Sequence, residues 1–160
     1  MRIRSFPAVV GPRPKVLILG TLPGIASLRL TQYYGHPQNK FWELLGSALN
    51  EDLRSLSYAR RLKRLKARGV ALWDVVSDAR RPGSLDADIR GERHNEVAAF
   101  LKKRGIRAIF FNGQVARRMY LRKFGEPTIP AFLLPSSSPA YASMTRKAKA
   151  RGWRRVRAYL

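Results

Sequence analysis

The chain has no cysteine, two histidines and only 10 acidic residues among 160. Without cysteine there is neither a disulfide framework nor a thiolate metal site, and His36 and His94 are too few for a histidine-rich one. No apolar run approaches the ~18 residues of a membrane helix, and Arg2 and Arg4 lead into no apolar stretch of signal-peptide length. A soluble, intracellular, cytoplasmic protein is expected, without a metal or cofactor. A chain of this length buries a core without staples, so one domain over residues 1–160 is expected, acting as a monomer. The shortage of acids also points to the partner. Lys plus Arg is 32, the net charge is +22, and an excess far beyond what solubility needs points to a polyanion, foremost a nucleic acid.

What is present is a regular alternation of strand-like and helix-like segments. Residues 1–14 hold Pro7, Pro12 and Pro14 and read as an extended lead-in. Lys15–Leu19 is a strand whose apolar run predicts burial on both faces. Gly20 and Gly24 bracket a tight exit turn, followed by a polar and aromatic loop up to Asn39. Phe41, Leu44, Leu45, Ala48 and Leu49 recur with helical period. Tyr58–Ala67 repeats that pattern with a dense basic surface and stops at Gly69. Val70–Val76 is a second strand, Ser77–Arg93 a polar loop, and Asn95–Arg104 a helix ended by Gly105. Ile106–Phe111 is a third strand, Gln114–Lys123 a helix and Ala131–Leu134 a fourth strand. After the loop Pro135–Ala140, Ser143–Ala150 reads as a short basic helix, and Trp153–Leu160 as a final helix or strand. The expected fold is a three-layer α/β/α domain around a mostly parallel four-stranded sheet.

In such a sheet the carboxyl ends of the strands lie together. They carry Gly20-Thr21-Leu22-Pro23-Gly24, then Asn112-Gly113, then Leu134-Pro135-Ser136-Ser137-Ser138-Pro139. Asn112 offers an amide donor and acceptor for a base edge, or is simply the first half of an Asn-Gly turn. Ser136, Ser137 and Ser138 precede a basic helix and offer hydroxyls and backbone N–H groups to phosphates, or form a Ser/Pro-rich turn. Asn39 stands where a helix N-cap is wanted. Asp74 and Asp86 are the acids placed nearest this edge; auxiliary acid–base work is possible for either, and pairing with the surrounding arginines is the simpler expectation.

These motifs resemble a known family. Gly20-x-x-Pro23-Gly24 after the first strand, His36-Pro37-x-Asn39-x-Phe41-Trp42 opening a helix, and Leu134-Pro135-Ser136 after the last strand are similar to the uracil-DNA glycosylase superfamily. The match is closer to its hypoxanthine-DNA (deoxyinosine) glycosylase branch. There the first motif lacks Asn or Asp, as Leu22 does here, the third strand ends Phe-Asn-Gly like Phe111-Asn112-Gly113, and the last motif reads Pro-Ser-x-Ser-Pro-Ala like Pro135 to Ala140. The resemblance spans about Ser5 to Lys149.

It implies a monofunctional glycosylase that flips a deaminated base out of double-stranded or single-stranded DNA and hydrolyses its glycosidic bond. Hypoxanthine is the expected base, with uracil or mismatch specificity as the alternative within the superfamily. It implies that Asn39 is catalytic, positioning water or bonding the departing base, a role compatible with capping. It implies that Tyr34 stacks on the base and that the serine loop enters the duplex gap. Thr21 and Leu22 would line the base pocket. Gly24 would lie against the DNA, and His36 would support the loop or touch phosphate. A different class of function is a non-catalytic nucleic-acid-binding module on the same fold. A nucleotide-binding enzyme ranks last, because neither Gly-rich phosphate-binding fingerprint is present.

Overall fold

The computed structural model describes residues 2–160. Its centre is a sheet of four parallel strands: β2 (Val16–Gly20), β3 (Val70–Asp74), β6 (Ala108–Asn112) and β7 (Ala131–Leu134), in spatial order β3-β2-β6-β7. Strand period explains the two cores. Val16, Ile18, Val70, Leu72, Ala108 and Phe110 point to one face. There they meet α2 (Phe41–Leu49), Leu65 of α3 (Tyr58–Arg68), and Trp153 of α6 (Arg146–Trp153). Leu17, Leu19, Ala71, Ile109 and Phe111 point to the other face, against Val97 and Leu101 of α4 (Val97–Arg104) and Ala116, Met119 and Tyr120 of α5 (Gln114–Phe124). All of these strand residues are at most 1% exposed. The expected three-layer α/β/α architecture is therefore the observed one.

Three segments depart from expectation. Ile25–Leu30 forms a short helix, α1, inside the stretch expected to be loop. Its turn is closed by Thr31, which takes a left-handed conformation. The second strand ends at Asp74 rather than Val76, because Val75 already donates its N–H to the Gly20 carbonyl and turns the chain away. The expected loop Ser77–Arg93 holds a hairpin, β4 (Val76–Arg80) and β5 (Arg90–His94), which with β1 (Ile3–Arg4) makes a separate antiparallel sheet in the order β1-β4-β5. Polar side chains hide this sheet in the sequence. Only Val76 and Ala79 of β4 are buried, and Arg2 fastens Asp78 at 2.5 Å. The chain closes as a 3-10 helix over Arg154–Tyr159.

The strand order fixes the position of the site. From β2 the chain goes to β3 on one side, then crosses to β6 on the other. The switch between the two directions opens a crevice beyond the carboxyl ends of β2 and β6. Gly20 and Asn112 are the last residues of those two strands.

Candidate active site

A cleft of about 810 Å³ occupies that crevice. Its wall is made by the Gly20–Ser27 turn, Tyr34, His36 and Asn39, the end of β3 at Asp74, Ser84–Asp86, Asn112–Val115, and the serine loop with Tyr141. All three predicted strand ends, and every predicted site residue, lie on it.

Asn39 precedes α2, and its Oδ1 accepts the Phe41 N–H at 2.9 Å. Asn39 stands one residue before the N-cap position, Lys40, and its side chain still satisfies the first N–H of the helix. The oxygen is used by the helix, and among the described residues no acceptor holds the Nδ2 end. The Asn39 backbone N–H bonds the His36 carbonyl at 2.9 Å, and Lys40 N–H bonds the Ser137 carbonyl at 3.0 Å, which ties this loop to the serine loop.

Tyr34 takes a left-handed backbone conformation, φ 55°, uncommon for a bulky residue and held by its surroundings. Ser27 Oγ accepts the next N–H, that of Gly35, at 2.9 Å. One face of the Tyr34 ring is stacked on Phe41, with centroids 3.8 Å apart and planes 9° apart, so only the opposite face can meet a base. Its hydroxyl is buried without a hydrogen-bond partner, and burial with the Asp74 charge raises its pKa. Gly20 makes this arrangement possible. A Cβ there would stand 2.7 Å from Asp74 Oδ1 and 2.8 Å from the Tyr34 hydroxyl, closer than atoms tolerate.

Asn112 has a more structural part than a free base reader would have. Its Nδ2 donates to Ser137 Oγ and its Oδ1 accepts the Ser137 N–H, both at 2.9 Å. Ser137 is 1% exposed, which corrects the expectation that all three serine hydroxyls face phosphates. Its hydroxyl anchors the loop from inside. Ser136 Oγ accepts the Ser138 N–H and Ser138 Oγ accepts the Ala140 N–H, each at 3.2 Å. These are local turn bonds that leave both hydroxyl protons for a ligand. Gly113, at φ 97°, lets the loop approach within 3.2 Å of where a Cβ would be. Trp153 Nε1 pins the start of the loop through the Pro135 carbonyl at 2.8 Å.

Thr21 donates its hydroxyl to Asp86 Oδ1 at 2.7 Å, and Leu22 is 7% exposed against the second core. His36 is exposed; its Nδ1 accepts the Gln38 N–H at 3.0 Å, leaving Nε2 outward. A residue that the sequence hid is Arg81. Its side chain is fully buried, and it bonds the carbonyls of Gly83 and Pro23. Arg81 braces the Gly20–Gly24 turn from behind and comes within 3.9 Å of Asp86. Within a stretch read as loop, an arginine among arginines gave no signal of burial.

The expected ion pair is found for Asp86 only. Among the described residues no cation lies within ion-pairing distance of Asp74, and its Oδ2 has no hydrogen-bond partner. Burial first, then the Asp86 charge, push its carboxyl up to about 7, against the pull of Arg81. The rim is unusually apolar. Ile25, Leu85 and Tyr141, three of the four large hydrophobic side chains exposed among the described residues, stand at the cleft mouth. Among the described residues no group of three or more acids and histidines could hold a metal, and no helix is long and apolar enough to cross a membrane.

The comparisons with known proteins agree with this geometry. The model of the Uracil DNA glycosylase superfamily matches residues 7–159. The hypoxanthine DNA glycosylase of Methanosarcina barkeri is 40% identical over 157 residues, covering 96% of both chains. That of Methanosarcina acetivorans is 43% identical over 141 residues, covering 86% of this chain and 87% of its own. The solution NMR structure of a uracil DNA glycosylase candidate from Methanosarcina acetivorans superposes with a TM-score of 0.84 at 38% identity, covering 99% of both chains.

Proposed function

We propose, for a chain that belongs to the uracil DNA glycosylase superfamily, that it excises deaminated bases from DNA, hypoxanthine foremost. The protein is a hydrolase of the N-glycosidic bond. It takes the base out of the stack, breaks the bond between the base nitrogen and C1′ of the sugar, and adds water at C1′. The products are a free base and an abasic site in an uncut strand. Duplex DNA is the substrate, bound by one copy of the chain.

The observation that carries this reading is the divided amide of Asn39. Its oxygen is spent on the Phe41 N–H, so its Nδ2 hydrogens are free to donate at the cleft. The bond breaks with its electron pair moving onto the base, and a positioned N–H donor is worth most where that charge grows. Leu22 offers no polar group at the first motif, which leaves Asn39 as the residue that meets the leaving base. The open face of Tyr34 is the floor on which the base stacks. Ser136 and Ser138 hydroxyls face the phosphates, and the apolar rim of Leu85 and Tyr141 fits against the bases exposed when one leaves. The basic surface supplies sequence-independent grip. Helix α6 begins beside the cleft, with Met144 in its wall, and carries exposed Arg146, Lys147 and Arg151. It is therefore better placed for phosphates than the C-terminal half of α3, which runs to the opposite edge of the sheet.

The test is incubation with duplexes that contain hypoxanthine, uracil or only ordinary bases, followed by hot alkali to cut abasic sites. Cleavage of the hypoxanthine strand is expected, with adenine left intact. Uracil released without hypoxanthine would move the protein to another branch of the superfamily. DNA binding without any base release would make it a non-catalytic module.

A further inference from the structure

We propose that Asp74 reads the base. Its free carboxylate oxygen accepts the ring N–H that a deaminated base carries and its parent lacks. The inference rests on the glycosylase reading of the same cleft and names the group that selects the substrate.

Deamination changes a base edge in one consistent way. The amino group becomes a carbonyl, and the neighbouring ring nitrogen exchanges its lone pair for a hydrogen. That holds for adenine becoming hypoxanthine and for cytosine becoming uracil. A buried acceptor at the ring nitrogen accepts from the product and meets a lone pair in the parent. Leaving a buried polar group unpaired against the wrong substrate is a strong source of rejection.

Asp74 has the features of such an acceptor. It ends β3 in register with Gly20 at the end of β2, so it stands at the floor of the cleft between two motifs. The residue is 4% exposed and its Oδ2 has no partner. Of the polar side chains nearby, the other charged groups and the Asn112 amide are engaged. Asp86 holds Thr21, Arg81 holds the Pro23 carbonyl, and Asn112 is closed on Ser137 by both of its amide atoms. Asn112 is thereby a positioning residue for the serine loop, and Asp74 is left to read the edge. Gly20 marks the place, because the Tyr34 hydroxyl and Asp74 Oδ1 both lie within 2.8 Å of its missing Cβ. A base stacked on Tyr34 with its Watson–Crick edge toward the phenolic end of the ring therefore reaches Asp74. The burial that raises this carboxyl's pKa fits a group whose proper partner arrives with the substrate.

The test uses duplexes carrying 2′-fluoro nucleosides, which resist cleavage, with either hypoxanthine or unsubstituted purine as the base. Purine has neither the N1 hydrogen nor the 6-carbonyl. The wild-type protein should bind the hypoxanthine duplex about 10- to 100-fold more tightly, the scale of one charge-assisted hydrogen bond. Asp74→Leu should abolish the preference by weakening hypoxanthine binding alone. Asp74→Asn, whose carbonyl oxygen still accepts, should keep most of it. An unchanged preference in Asp74→Leu, or an equal loss for both bases, would overturn the proposal. Single-turnover assays on cleavable duplexes run in parallel. A wild-type protein that prefers hypoxanthine and releases no base would refute the catalytic reading and leave the assignment of Asp74 standing.

Discussion

Asp74 makes a quantitative claim about stability. Its carboxyl is held at about 7, against 3.8 for an ordinary aspartate. Between those values the native protein keeps a proton that the unfolded chain has released. The unfolded state then binds fewer protons, so stability falls as pH rises through that window and levels off above about 7. At about 1.4 kcal/mol for each tenfold change in proton affinity, the ionised carboxylate costs the fold at most about 4 kcal/mol. Asp74→Asn has no proton to lose there. Whatever constant offset the amide brings, the stability of the variant relative to wild type should climb between pH 4 and 7 and then stay flat. At roughly 2–4 °C per kcal/mol for a domain of this size, the Asn variant should gain on the order of 10 °C in Tm between pH 5 and pH 8, relative to wild type. Urea unfolding of both proteins at fixed salt across that range measures the difference directly, and groups common to both cancel. Two parallel curves would refute the reasoning, since they would mean that Asp74 titrates normally in the native state.

Asn39→Ala should lower the single-turnover rate on hypoxanthine by about 10²-fold or more and cost about 1 kcal/mol of stability through the lost cap. Asn39→Asp keeps the oxygen that Phe41 N–H needs and loses the N–H donor. It should be about as slow as the Ala variant while melting near wild type, and a fast Asp variant would show that donation is not the role. Tyr34→Ala should cut catalytic efficiency about ten- to a hundredfold, the scale of one stacked base. Tyr34→Phe, which keeps both the Phe41 stack and the floor, should stay close to wild type; equal losses in the two would discount stacking. Binding to undamaged duplex should weaken steeply with salt, by about 0.9 in log K per log unit of salt for each phosphate contact. A flat titration would remove the basic surface from the interface.

Where a pattern repeats, sequence alone was enough to read this fold. Val16 to Leu19 and Ala108 to Phe111 are apolar on both faces because helices cover both, and that run is visible without a structure. Helix α3 carries its boundaries in Ser57 and Gly69, a capping side chain and a left-handed glycine. The hairpin Val76–Arg80 and Arg90–His94 was not legible, because its side chains do not alternate and its long-range contacts, such as Arg2 to Asp78 across 76 positions of chain, leave no local pattern. Arg81 was hidden for a related reason. Burial of a guanidinium depends on which carbonyls the fold turns toward it, and nothing in Arg80-Arg81-Pro82 distinguishes one arginine from the next.

Site residues could be named from motifs, but their free ends could not. Asn39, Asn112 and Ser137 are all amide or hydroxyl groups at strand or helix ends, and by type they are interchangeable as ligand contacts. The structure separates them by what each has already bonded. Ser137 is buried and bonded to Asn112 through both its hydroxyl oxygen and its N–H, Asn112 is closed on Ser137, and Asn39 keeps its Nδ2. Of the three buried polar side-chain atoms without a hydrogen-bond partner among the described residues, two, Asp74 Oδ2 and the Tyr34 hydroxyl, belong to side chains that meet at Gly20. Tyr34 also carries a positive φ there. An unpartnered carboxyl, an unpartnered phenol and a strained backbone are each unfavourable in an empty protein, and nothing in the core packing requires them to coincide. Their coincidence at the end of the central strand is what a pocket completed by its ligand looks like. Substitutions that relieve them should therefore raise stability and lower selectivity together.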